Sequence, residues 1–560
     1  MTAVTTETQH RTVAKPTFLN SKRGRILIEN LTAYLFLLPA GIIIFVFALF
    51  PVAFAFFVSL HRWRRFPEEY QGLDNYVEAI GGMAFVVFFW LAIGAALLGA
   101  YTLWRLWRDT SDERQGLAFL IPGALGAAGF LAFANWFFAL IPVVFGVPER
   151  LRGQAVSGNI FVDEFFASFK FPQVLDAADT MWLAVIIGVV GVAVFMRLLK
   201  TSDSGHYLFL SATAITALAA GYLLMDLTIS ELNLAIDAAK AAGEDLPVWS
   251  YIILISAGAG LLAVAYWLWN KTIQADEDRK FLLMGLSAIL LVIGAYLLIS
   301  QIPKALSEAD DDVMSGFSVT VMYSLFSVPL QLTLGLAVAV ALFQNIQAKS
   351  LFRVIYFLPY ITPWVATSVV FSLLFSHRPD SPGNKLINLF GVSDQIWLLE
   401  SKGIFQLIFP DIPSWLAGPG LALVVIIMFN IWTYAGYSAV IFLAGLGNIP
   451  RELYEAAKID GATSWQSFRN VTLPLLSPTT FFLILITTIG TFQAFTQIFL
   501  LRRSSAYQAV DTINLYIYNE IQGSRPDFAY GSAMAFVLFA VILILTLVQN
   551  RIAGRRVFYG

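Results

Sequence analysis

Two groups of polar residues inside strongly apolar stretches have spacings that can do chemistry. Asn430, Tyr434, Tyr437 and Ser438 fall close to one face of a helix, and Gln493, Thr496 and Gln497 do the same further along the chain. Amides exchange hydrogen bonds with hydroxyls, and tyrosine rings lie flat against C–H surfaces. Such walls can line a route for a hydroxyl-rich solute, and the same residues can equally tie one helix to another across lipid. Bond-breaking chemistry has little to stand on. Cysteine is absent, and His10, His61, His206 and His377 are scattered without metal-ligand spacing. No cluster of acids, histidines or bases at one interface marks a membrane-embedded transferase. No Gly-x4-Gly-Lys-Ser/Thr loop is present to bind ATP.

The elements that position these residues are membrane spans. The chain is 58% hydrophobic and 13% charged, against about 25% charged residues in soluble domains. A net charge of −2 gives no basic footprint for nucleic acid. A span needs about 20 largely apolar residues, and twelve segments qualify: 33–60, 84–106, 117–142, 182–199, 207–229, 249–270, 281–302, 317–343, 353–376, 420–446, 479–501 and 530–550. The first is too long for the apolar core of a cleaved signal and reads as a retained span. Basic residues collect in alternate loops: Arg105, Arg108 and Arg114; Arg197 and Lys200; Lys271, Arg279 and Lys280; Lys349 and Arg353; Arg451, Lys458 and Arg469; and Arg551, Arg555 and Arg556 at the end. That bias puts both termini and the 447–478 loop in the cytoplasm. Arg62, Arg64, Arg65, Arg502 and Arg503 run against it.

Residues 84–302 read as three successive helical hairpins. Their inner turns are Thr110–Arg114, Thr201–Ser204 and Ala275–Arg279, each leading into a Gly/Ala-rich helix suited to close packing in lipid. Asp226 is the one acid well inside an apolar segment here, and its place near the outer end of its span reads as interfacial.

The loop 447–474 is polar yet patterned. Asn448 is expected to cap a helix with Pro450 in its first turn. Tyr454, Ala457, Lys458 and Gly461 follow at helical spacing, and a second short helix carries Trp465 and Phe468 on one face. Ala456 and Ala457 let another surface approach closely. Glu455 can pair with a basic partner, Gly461 can adopt positive φ, and Pro474 marks the next span. This is the make-up of a docking surface.

Glu455-Ala456-Ala457, three residues, Gly461, nine residues, then Val471-Thr472-Leu473-Pro474 resembles the signature of permease subunits of bacterial binding-protein-dependent ABC importers. The lead-in Leu446–Tyr454 and the continuation Ile459-Asp460-Gly461-Ala462 resemble the carbohydrate, maltose-type branch. Gly72-Leu73-Asp74-Asn75-Tyr76 and Leu351–Tyr360 resemble flanking signatures of that family. The resemblance covers about 25–80 and 315–560. It implies a type I importer-like core of about six spans; with the extra inserted bundle of about six that hydropathy gives, the expectation is an all-α polytopic membrane protein of about twelve spans. The implied organisation is a cytoplasmic tail (1–30), a first core span and outer loop (31–80), the inserted bundle (81–315) and the permease core (316–560).

The resemblance further implies a bacterial or archaeal inner-membrane permease that imports a sugar or related solute by alternating access. Its partners would be a cytoplasmic ABC ATPase dimer, a second permease subunit and an extracytoplasmic solute-binding protein. ATP and magnesium would be bound by the ATPase, with no cofactor in this chain. Glu455, Ala456, Ala457, Asp460, Gly461, Leu473 and Pro474 would carry the coupling. Two departures stand out: the 81–315 interruption, and Leu501–Tyr507 where the family usually carries a Gly-Gly-Pro stretch. An ion-coupled secondary transporter is the alternative, and it would need acids at mid-membrane that the core spans scarcely offer.

Overall fold

The computed structural model describes residues 22–64, 66–109, 118–153, 158–199, 204–243, 246–272, 277–344 and 347–554. Arg65, Arg114, Lys200, Arg555, Arg556, the turn Thr110–Arg114, and residues 201–203 and 275–276 of the other two turns lie outside them. The described chain is helical apart from one short antiparallel hairpin, β1 (His61–Trp63) with β2 (Pro67–Tyr70). Among the described residues, ten helices are long and apolar enough to cross a membrane, and two bent pairs raise the count to as many as twelve.

The N-terminal unit is a single apolar rod. Helix α1 (Lys22–Ile44) passes through a π-turn at Phe45–Leu49 into α2 (Phe50–Ser59).

The second unit begins at Val58. Short helix α3 (Asp74–Ile80) leads to six long helices: α4 (Met83–Asp109), α5 (Leu120–Phe145), α6 (Pro172–Leu199), α7 (Ser204–Ala242), α8 (Val248–Thr272) and α9 (Glu277–Ala305). The expected run of three sequential hairpins is corrected by their packing. Only α8 and α9 pair as sequence neighbours across an inner turn, whereas α4 packs chiefly on α7 and α5 on α6. Glycines choose these partners. A Cβ on Gly99 of α4 would crowd Ala214 and Leu218 of α7, and one on Gly221 of α7 would crowd Ala92 and Ala96 of α4. In lipid such backbone approaches supply van der Waals contact where no hydrophobic effect acts.

Helix α7 has 39 residues, about 58 Å at 1.5 Å per residue, nearly twice the ~30 Å hydrocarbon core. Asp226 is exposed about 33 Å from its start. That spacing equals one membrane thickness and fits an interfacial acid.

The two ends of the six-helix segment meet. The Asp310 amide donates to the Glu78 carbonyl at 3.0 Å, and a Cβ on Gly81 would press on the Ala305 carbonyl. Asp310 also accepts from the Tyr530 hydroxyl at 2.6 Å.

Beyond this junction, α10 (Asp311–Phe343) forms the axis of the remaining helices. Its N-cap is the Asp310 carboxylate, which accepts from the Asp312 amide. It packs on α13 (Leu421–Gly447), on α16 (Ser477–Phe492) and on α18 (Ile513–Gln522), which leads into α19 (Phe528–Ala553). Fully buried Tyr323, Ile426, Phe429 and Ile498 fill one half of this core, and Ala339, Phe442, Leu446 and Leu483 fill the other.

Two expected spans are not continuous. Segment 353–376 divides into α11 (Lys349–Ile361) and α12 (Trp364–Leu374), bent by 94°. Pro359 and Pro363 each remove a backbone donor, and Thr362, which precedes Pro363, is extended at ψ 137°. Segment 479–501 breaks at Gln493–Phe495 between α16 and α17 (Thr496–Leu501). The freed Ala494 carbonyl there accepts from the Thr512 hydroxyl at 3.3 Å.

The four described arginines that oppose the charge bias are engaged by carboxylates or hydroxyls. Arg62 pairs with Glu68 at 3.1 Å, Arg64 with Asp527 at 3.8 Å and Arg502 with Asp511 at 3.2 Å, while Arg503 donates to Ser372.

Candidate functional site

A cavity of about 240 Å³ lies among α10, α11, α13, α16 and α17, lined by Gln331, Tyr360, Asn430, Tyr434, Tyr437, Ile486, Thr487, Gly490, Thr491 and Gln497. Its position follows from the breaks described above. The α11–α12 bend sets Tyr360 and Trp364 beside α13, and the α16–α17 break turns buried Gln497 inward.

One wall is aromatic. Tyr360 stacks on Tyr437 with centroids 4.9 Å apart and meets Tyr434 edge-on at 5.8 Å, and Trp364 meets Tyr434 edge-on at 6.0 Å. This wall depends on a glycine. A Cβ on Gly436 would run into the backbone carbonyl of Tyr356 on α11, so only glycine lets α11 lie this close to α13.

The rest of the lining is joined by a hydrogen-bonded belt centred on α10. Asn430 donates to the Gln331 carbonyl oxygen at 3.2 Å, and Gln331 donates to the Ser438 hydroxyl at 3.0 Å. Gln497 donates to the Tyr323 hydroxyl at 2.9 Å, and the Thr491 hydroxyl donates to Ser324 at 2.8 Å. Each amide keeps further donor or acceptor capacity. No lining residue carries a charge. The arrangement can stack one face of a ring and exchange hydrogen bonds with its edge.

Of the seven residues singled out from the sequence, Asn430, Tyr434, Tyr437 and Gln497 line this cavity. Ser438 is fully buried behind Gln331, and Gln493 and Thr496 are exposed away from the cavity. Gln331, Tyr360, Thr487 and Thr491 were missed. Gln331 carried a signal, since it is an amide within the apolar run 317–343. Tyr360 lies past the proline that begins the break.

The second candidate surface is the 447–474 loop. Helix α14 (Arg451–Ile459) has Pro450 as its N-cap. Asn448 instead closes α13, its amide bonding the Gly445 carbonyl, which corrects the expected cap. At the other end, Ala462 donates to Ala457 at 2.9 Å and Gly461 to Lys458 at 3.1 Å, with Gly461 at φ +79°. These two bonds make a Schellman motif, which needs the left-handed conformation that glycine supplies.

Helix α15 (Ser464–Ser467) starts from a capping box between Thr463 and Gln466. The Tyr454 hydroxyl bonds Thr472 at 3.1 Å and ties the two parts of the loop together. Trp465 stacks on Phe468 with centroids 5.6 Å apart. Glu455, Ala456, Asp460, Gly461, Leu473 and Pro474 are exposed and Ala457 is half-buried. Ile459 is 86% exposed and Trp465 66%, so a rigid loop presents two large apolar side chains to its surroundings.

Comparison with known proteins gives these surfaces a family. The binding-protein-dependent transport system inner membrane component family matches residues 331–558. The chain is 32% identical over 241 residues to the lactose transport system permease protein LacF of Rhizobium radiobacter, covering 42% of this chain and 74% of that protein. It is 31% identical to the arabinooligosaccharides transport system permease protein AraP of Bacillus subtilis, covering 41% and 66%, respectively. It is 28% identical to the trehalose/maltose transport system permease protein MalF of Thermococcus litoralis, covering 42% and 74%. In all three the matched stretch is less than half of this chain, and the family match at 331–558 lies wholly beyond the six-helix segment. With the helical architecture and the loop of 447–474, these matches lead to one conclusion: the chain belongs to the binding-protein-dependent transport system inner membrane components, as a permease of the carbohydrate ABC transporters.

Proposed function

We propose that this permease imports an uncharged, hydroxyl-rich solute, a sugar, which an extracytoplasmic binding protein delivers and a separate ATPase drives. The observation that carries the reading is the cavity at α10–α13. Stacked Tyr360 and Tyr437 line it together with an amide belt of Gln331, Asn430 and Gln497, with no charged side chain in the lining. A phosphate or carboxylate entering this cavity would lose water and gain no cation, a loss of several kcal/mol on the order of that for any unpaired buried charge. Hydroxyls lose less and find amide partners.

The docking loop supports the energetic half of the proposal. Glu455, Ala456, Ala457, Asp460, Gly461, Leu473 and Pro474 form the ATPase contact, with Ile459 and Trp465 as its apolar anchors. The loop and both termini then lie in the cytoplasm. ATP and magnesium sit in the partner. Closure of the ATPase shifts the outward- and inward-facing states only through a difference in its contact with the two. A second permease subunit completes the translocation path, and residues 81–315 act as an accessory membrane bundle.

Transport in proteoliposomes tests this. The full chain, with its accompanying subunits and binding protein, should take up lactose or maltose in an ATP-dependent way and leave sn-glycerol 3-phosphate outside. ATP-independent uptake that follows an ion gradient would overturn the proposal.

A further inference from the structure

Between α5 and α6 an open apolar groove of about 500 Å³ runs along the surface of the six-helix bundle. It exists because glycines leave space. A Cβ on Gly126 would meet nothing within 4 Å, while Gly188 brings α6 against the Leu125 carbonyl. The α6 residues that line the groove run from Val185 to Ala193 at spacings of three and four, which is one helix face. The next charged position on that face is Arg197, one turn below Ala193. Arg197 is exposed and forms no ion pair among the described residues.

The dimensions fit one membrane leaflet. From Arg197 to Val185 is about 18 Å along the helix, close to half of the ~30 Å hydrocarbon core. An apolar groove whose α6 face reaches its next charged position, Arg197, one turn beyond the last lining residue matches a single acyl chain with an anionic head beyond its mouth. An apolar groove left empty would forfeit dispersion contacts along its whole length. Arg197 supplies the charge complementarity that basic pockets between spans offer to lipid head groups.

We propose that the α5–α6 groove holds one anionic phospholipid, with an acyl chain laid over Gly126 and the head-group phosphate on Arg197. The site lies outside the α10–α13 cavity and does not depend on what that cavity transports.

Native mass spectrometry tests it on the full-length chain, purified with its accompanying subunits, after exchange into detergent doped with phosphatidylglycerol or phosphatidylcholine of identical chains. The wild type should retain one phosphatidylglycerol at least tenfold more strongly than phosphatidylcholine. Arg197→Gln should abolish that preference and Arg197→Lys should restore it. Gly126→Leu, which fills the groove, should reduce retention of both lipids. Because Arg197 is exposed, its variants leave packing intact and remain informative if the leucine variant does not fold. Equal retention of the two lipids by the wild type would overturn the proposal, as would phosphatidylglycerol retention unchanged in Arg197→Gln. Loss of the adduct whenever partner subunits are bound would instead give the groove to a partner helix and also overturn it.

Discussion

Replacing Gly436 by alanine sets two effects of opposite sign against each other. In the middle of a helix, alanine is favoured over glycine by about 1 kcal/mol, so propensity alone predicts a more stable protein. Contact geometry predicts the reverse. The added methyl would occupy the position of the Tyr356 carbonyl on α11. That neighbour is backbone and cannot rotate away, so α11 must retreat by on the order of 1 Å or more. Overpacking of this kind costs about 1–3 kcal/mol, which leaves a net loss of up to ~2 kcal/mol after the propensity gain.

The retreat also carries Tyr360 off Tyr437, now 4.9 Å away, and removes an aromatic pair worth about 0.5–1.5 kcal/mol. The expected result is a lower melting temperature together with a raised apparent KM for the transported sugar, read by thermal unfolding and by ATP-driven uptake. Gly447→Ala is the control. It lies at the end of the same helix α13 with nothing within 4 Å of the new methyl, so it should be neutral or slightly stabilising. Equal behaviour of the two variants would refute the argument that close approach, and not propensity, governs Gly436.

Further expectations follow from other parts of the structure. Gln331→Leu removes both bonds that join Asn430 and Ser438 through α10; at about 0.6–2 kcal/mol per bond in a membrane it should lower stability by about 1–4 kcal/mol and weaken sugar uptake more than Gln493→Leu, an exposed site outside the cavity lining. Burial raises the Asp511 carboxyl to about 6 despite the Arg502 guanidinium beside it. A raised folded-state pKa means its stabilising contribution is complete below the ordinary aspartate range and is lost as pH rises through about 6. The wild type should therefore gain more thermal stability than Asp511→Asn on going from pH 7.5 to pH 5, and identical gains would contradict this. Deleting 82–309 joins ends already linked by the Asp310–Glu78 bond at 3.0 Å and removes an even number of spans, so ATP-driven uptake should persist, and its loss would make the bundle essential.

The spans were legible in the sequence because lipid leaves a composition signature no soluble core shares. The loop of 447–474 was legible because its helix ends are written in local chemistry. Gly461 closes α14 by a positive φ that few other residues adopt. Asn448 reads as an N-cap through its side chain, yet in the structure its backbone N–H closes the preceding helix and Pro450 takes the cap position. The α11–α12 bend had a signal in Pro359 and Pro363, masked by unbroken hydropathy. The α16–α17 break had none. Gln493, Ala494 and Phe495 are unremarkable helix residues, and the break rests on a hydrogen bond from Thr512. Gln493 and Thr496 were grouped with Gln497 on the assumption of a continuous helix, and the break turns them elsewhere. The pairing of α4 with α7 was hidden for a related reason, since it depends on which glycines meet across space.

Coupling of the proposed sugar cavity to an external ATPase rests on the exposed loop from Arg451 to Pro474. It is tested most directly by purifying the full chain with its native partners and measuring ATP hydrolysis with and without the sugar-loaded binding protein, for the wild type and for Glu455→Lys. An ATPase should co-purify, sugar should stimulate hydrolysis in the wild type, and Glu455→Lys should lose the stimulation while α10–α13 stay folded. Absence of an ATPase, together with full uptake by Glu455→Lys, would contradict it.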